Sequence, residues 1–128
     1  MSTSELFDTF EANPKDVRAF DALVRALLEA DDRDGLDVIY EHLPEWVEDA
    51  SSSPLMRVLM QKARACEDTA LADWLHFRNG VTLWRQFGEN QRAESCFRKI
   101  EGQSADPALI REFYMGFYTA QKLSLIHI

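Results

Sequence analysis

A chain of 128 residues, 46% hydrophobic and 28% charged, has the apolar content of one folded domain and lies outside the composition of disordered sequences. Its formal net charge of −8 is unevenly spread: residues 1 to 53 hold 14 Asp or Glu against 4 Lys or Arg, whereas residues 54 to 128 hold 8 against 10. Nucleic acid is excluded as an expected partner, because binding it requires clustered cations, and no apolar run is long enough to span a membrane.

The N-terminus, MSTSELFDTFEANPKD, is acidic and lacks a basic-then-apolar signal pattern, which points to a cytoplasmic protein. Within it, Glu5 to Glu11 carries Leu6, Phe7 and Phe10 and is expected to form a short helix capping the first hairpin. Asn13-Pro14 then offers an N-cap and a first helical residue, with Asp16 in the first turn suiting the helix dipole. The same device recurs at Ser53-Pro54 and Asp106-Pro107, so each is read as a helix start.

From residue 15 to 43 the spacing predicts a helical hairpin. Phe20, Leu23, Val24 and Leu27 share one stripe, and Leu36, Ile39, Tyr40 and Leu43 share another, by steps of three and four. Asp31 to Asp34 between them is too polar to bury and too short for a linker, and Pro44 is expected to close the hairpin. Glu45 to Ser52 reads as a polar connection anchored by Trp46. Residues 54 to 66 predict a helix that turns Leu55, Val58, Leu59 and Ala63 inward.

A second hairpin is expected over 70 to 101. Leu71, Trp74, Phe77, Val81 and Trp84 make one continuous stripe, so Thr69 to Phe87 is read as a single helix despite the turn-prone Asn79-Gly80 pair. Gly80 is kept helical on the expectation that it faces a neighbouring helix closely. Gly88-Glu89-Asn90 ends that helix, and Gln91 to Ile100 packs back through Ala93, Phe97 and Ile100. Pro107 to Gln121 opens another repeat.

The two hairpins echo each other. Phe77, Gly80, Val81, Trp84, Ala93 and Phe97 stand 57 residues after Phe20, Leu23, Val24, Leu27, Leu36 and Tyr40, and Phe113, Gly116, Phe117 and Ala120 come 36 residues after the first four of the second set. This pattern resembles the tetratricopeptide repeat, with Leu23-Val24 and Gly80-Val81 where Leu-Gly is usual and Leu36 where a small residue is usual. The resemblance implies an all-α fold, antiparallel helix hairpins stacked as a fragment of an α-solenoid, over a single domain at 1–122. The last six residues, LSLIHI, resemble translated sequencing-adapter sequence, so 123–128 is read as a non-native tail and the third repeat as cut after its first helix.

No catalytic motif is present: no glycine-rich phosphate loop, no HExxH, no GxSxG and no kinase signature. Asp73 and His76 lie one helical turn apart, a pair that needs a third ligand before it becomes a metal site. Cys66 and Cys96 have no metal or redox partner pattern and are read as structural thiols. No cofactor and no enzymatic activity are expected.

The resemblance further implies that first helices of successive hairpins line a concave surface for an extended peptide. The flank beside the packed stripe then holds Arg18, Asp21, Arg25 and Leu28, next Leu75, Arg78, Thr82 and Arg85, and next Arg111, Tyr114, Tyr118 and Gln121. Arg18, Arg25, Arg78, Arg85, Arg111, Tyr114 and Tyr118 are the candidate protein-binding residues, suited to an acidic peptide or protein surface, although ordinary solvated arginines give the same pattern. The expected function is a non-catalytic protein–protein interaction scaffold. The alternative is a helical regulatory or substrate-binding module of a larger enzyme. Self-association through the half-repeat at the C-terminal helix is a further expectation.

Overall fold

A computed structural model describes residues 2–102 and 106–126, with side chains described as far as Ala120. His127 and Ile128 of the expected tail lie outside the described residues, as do the side chains of Leu123 to Ile126. Among the described residues the chain is all-helical: α1 Thr3–Ala12, α2 Val17–Glu29, α3 Arg33–Trp46, α4 Pro54–Ala65, α5 Thr69–Val81, a π-helical turn Thr82–Gln86, α6 Asn90–Arg98 and α7 Pro107–Ile126. No described helix is long and apolar enough to cross a membrane. The chain divides into two compact units, 1–62 and 63–128.

In the first unit α1 starts at an N-cap, Ser2, whose hydroxyl accepts from Glu5 N–H at 3.2 Å. Phe10, fully buried, meets Phe20 of α2 at 5.1 Å between ring centroids. The start of α2 differs from the expectation at Asn13-Pro14. Asn13 spends its side chain on Lys15 N–H at 3.3 Å and its carbonyl on Asp16 N–H at 3.0 Å, which closes a turn. The cap is Asp16, whose carboxylate accepts from Arg18 N–H at 3.1 Å and Ala19 N–H at 3.2 Å. An anion at the positive end of the helix wins over the neutral amide three residues earlier.

The α2–α3 corner is made by two residues. Asp31 takes the left-handed conformation, φ 49°, and its N–H donates to Leu28 O at 3.1 Å, while Asp32 N–H donates to Leu27 O at 2.9 Å. These bonds satisfy the last carbonyls of α2 in a Schellman arrangement. The Asp32 carboxylate then caps α3 by accepting from Gly35 N–H at 2.9 Å. The helix does not stop at Pro44 as expected but runs to Trp46. Proline in the last turn withdraws only one donor, and the continuation seats Trp46 edge-on against Phe10 at 4.8 Å and near Phe7 and Phe20. In α4, Ser53 caps Met56 N–H at 3.3 Å, and Leu55, Met56, Val58 and Leu59 are buried.

The second unit is built on α5, capped by Asp68 through Ala70 N–H and Leu71 N–H. Asn79-Gly80 stays helical, and the Phe97 ring of α6 lies against Gly80 so closely that a Cβ there would stand 2.5 Å from its Cε1. The rod continues as the π-helical turn, where one extra residue enters the backbone. Gly88, at φ +66°, then lets the chain reverse, with Glu89 N–H bonding to Leu83 O at 2.8 Å. On α6, Ala93 and Phe97 are buried against α5, and Ile100 beyond it is half-buried. Asp106 caps α7 through Leu109 N–H at 3.1 Å, and Phe113, 1% exposed, meets Phe97 at 4.9 Å and Trp84 at 5.2 Å.

Candidate functional site

The candidate residues fall in both units. In the first, α2 exposes Arg18 and Arg25. Arg25 Nη2 pairs with Asp21 Oδ2 at 2.8 Å, and the other oxygen of Asp21 takes Lys62 Nζ at 2.9 Å. One carboxylate thus serves two cations, Arg25 on its own helix and Lys62 on α4.

In the second unit Arg78 is half-buried on α5, and the neighbouring flank positions Leu75 and Thr82 are buried at 0% and 1% exposed rather than lining a groove. Burial extends around α5 to Leu71, Phe77, Asn79 and Gly80, so this helix has no broad solvent face. Arg85 sits beyond the start of the π-helical turn, exposed, with its guanidinium 4.8 Å from the Trp84 ring centroid and 3.1 Å from Glu112 of α7. One inserted residue rotates the later part of the rod by about 100°, so Arg78 and Arg85 do not share the face that their seven-residue spacing gives in a regular helix.

The densest polar cluster joins α6 to α7. The Glu94 side chain, on a residue only 7% exposed, takes Arg98 Nε at 2.7 Å and a second guanidinium nitrogen in a fork, and Tyr114 Oη donates to it at 3.3 Å. The Arg98 bond holds the Glu94 carboxyl below its ordinary range against the opposing effect of burial, with the arginine's charge and the tyrosine hydroxyl adding to the fall. Burial pushes the Tyr114 phenol up, and the adjacent Glu94 charge adds to the rise. Tyr118 stacks on Tyr114 at 5.5 Å between centroids and is 55% exposed. Glu94, Arg98, Phe117 and Tyr118 border an open groove of about 460 Å³. Arg111, Tyr114 and Tyr118 share a face of α7 by their spacing of three and four, and Arg111 is exposed.

Sequence reasoning missed Glu94 and Arg98, although an acid four residues before a base on one helix is a readable pair. It also missed the role of Asp73. That carboxylate accepts from Glu101 N–H at 3.0 Å and Gly102 N–H at 2.9 Å, tying the segment after α6 back to α5. His76, 7% exposed, borders a small pocket of about 110 Å³ together with Cys66 and Lys99. Among the described residues no group of three or more His, Cys, Asp or Glu could hold a metal. Cys96 is buried, and burial raises its thiol pKa, which keeps it protonated and inert. No family model, no curated protein and no solved structure matches this chain.

Proposed function

We propose that the chain is a non-catalytic protein–protein interaction scaffold built from tetratricopeptide-like hairpins. Its contact surface is the Arg111–Tyr118 face of α7 with the adjoining Glu94–Arg98 groove, and its partner is an acidic segment carrying an apolar or aromatic residue. The repeat reading draws support from matched burial: Phe20, Leu36 and Tyr40 in one hairpin and Phe77, Ala93 and Phe97 in the other are all buried. The observation that carries the binding reading is on α7, where Met115 and Tyr118 are 73% and 55% exposed beside exposed Arg111. Large apolar and aromatic side chains held at a surface by helical packing, next to arginine, have the composition of interface hot spots. Arg98 is neutralised on one side by Glu94 and still turns most of its side chain to solvent, 75% exposed, so it retains donors for a second carboxylate.

Peptides selected against the chain from an unbiased displayed library test this reading. Those bound should be enriched in Asp or Glu beside an aromatic or aliphatic residue. Arg111→Glu and Tyr118→Ala should each weaken them by about 10-fold or more, as truncation of a hot-spot residue does. Selected peptides that bind both variants as tightly as the parent chain would remove this surface.

A further inference from the structure

The first unit carries a second groove, on the other side of α2 from its arginines. Leu23 and Leu27 form its floor, Phe7 of α1 and Val38 of α3 form its walls, and the carboxylates of Asp8 and Asp32 stand at its rim, around an open space of about 330 Å³. Leu23 and Leu27 are 0% and 3% exposed, whereas Val38 is 38% exposed, so the wall offers an aliphatic side chain to an incoming ligand. That volume is at the low end of ligand pockets and suits one or two side chains of a peptide.

We propose that this groove docks a basic amphipathic peptide or helix from another protein, inserting leucine- or phenylalanine-type residues between α1 and α3 with lysines or arginines over the rim. Charge decides the class of partner. Among the described residues no lysine or arginine lines the groove, and residues 1 to 53 hold 14 acidic against 4 basic residues. The cations of this unit are placed elsewhere: Arg25 and Lys62 are drawn to Asp21, and Arg33 to Asp31. On α2, Arg18 and Arg25 project about 170° around the helix from Leu23 and Leu27. An acidic apolar segment would therefore meet carboxylates of its own sign on entry, whereas a basic one gains both steering and burial. Asp34 and Glu41, exposed one turn before and after Val38 on α3, extend the anionic rim along the direction a bound helix would take. The proposal uses none of the α7 residues and stands apart from the function proposed for them.

The test is fluorescence anisotropy on the full chain with three labelled synthetic peptides. One has leucine and phenylalanine at three- and four-residue spacing among lysines, one is its scrambled isomer, and one replaces every lysine by glutamate. The patterned lysine peptide should bind at least about 10-fold tighter than the other two, and the affinity should fall with added salt. Val38→Gln and Asp8→Lys, both at exposed positions, should each weaken it about 10-fold, while Arg111→Glu leaves it unchanged. Equal binding of the scrambled isomer, or unchanged binding by the Val38 and Asp8 variants, would overturn the proposal. Sedimentation showing a dimer that Val38→Gln dissolves would overturn it too, by assigning the groove to a second copy of the chain.

Discussion

The Phe97 ring rests directly on the backbone of Gly80: a Cβ built there would lie 2.5 Å from Cε1 and 2.8 Å from Cδ1 and Cζ. Phe97 is only 5% exposed and also packs against Phe113 at 4.9 Å, so it has little room to retreat. Gly80→Ala should therefore destabilise the chain, even though alanine is the better helix former by about 1 kcal/mol. Overpacking of this kind costs about 1–3 kcal/mol, so after the propensity gain the net loss should be up to about 2 kcal/mol in urea unfolding with an unchanged denaturant slope. A variant as stable as the parent would mean that the ring yields freely.

The π-helical turn changes which side chain of the second hairpin carries the core. By the 57-residue correspondence Trp84 matches Leu27 and should be buried, yet Leu83 is the residue at 0% exposure and Trp84 is half-buried. The extra residue sets position 84 back to about where 83 would stand in an unbroken α-helix, off the stripe of Phe77. Leu83→Ala should cost about 2–5 kcal/mol, the range for a fully buried leucine. Trp84→Ala should cost less, about 1–2 kcal/mol from its edge-on contact with Phe113 at 5.2 Å and its partial burial. Thermal or urea unfolding of the two variants checks the order, and a larger loss for Trp84 would put the regular register back.

That turn marks the boundary of what the sequence makes legible. Periodicity locates α2, α3, α4 and α6 because each has one wet and one dry face, and it names Phe20, Tyr40, Ala93 and Phe97 correctly as buried. It reads α5 poorly. Leu71, Asp73, Leu75, His76, Phe77, Asn79 and Gly80 are buried on several faces, so no stripe exists to be found, and Arg78 and Thr82 pass for solvent positions by their residue type alone. A π-helical insertion has no composition cue either, so spacing across Thr82 to Gln86 misassigns every later face of that rod. Among the expected binding residues, the helix wheel groups Arg111, Tyr114 and Tyr118 well because α7 is regular. It could not supply Glu94 as the partner of Tyr114, a contact made across twenty residues of sequence.

His76 gives the fold a pH dependence whose sign comes from its surroundings. Burial lowers its pKa below the ordinary 6.5, Lys99 and Arg64 push the same way, and Asp73 and Glu101 oppose them. The unfolded chain therefore takes up a proton at a higher pH than the folded one, so stability rises with pH across that window. The contribution of His76 is present in full above 6.5 and is lost as pH falls through its depressed folded value. Glu94, whose carboxyl is held below its ordinary 4.5, contributes stability that acid removes only below that value, outside the window in which His76 is tested. Urea unfolding between about pH 7.5 and about pH 5 should show stability falling with acid in the parent chain. His76→Gln, neutral throughout, should flatten that fall while keeping the helical circular-dichroism signal. An identical slope in both chains would show that His76 protonates in the folded state as easily as in the unfolded one, and that its pocket admits enough water to solvate the charge.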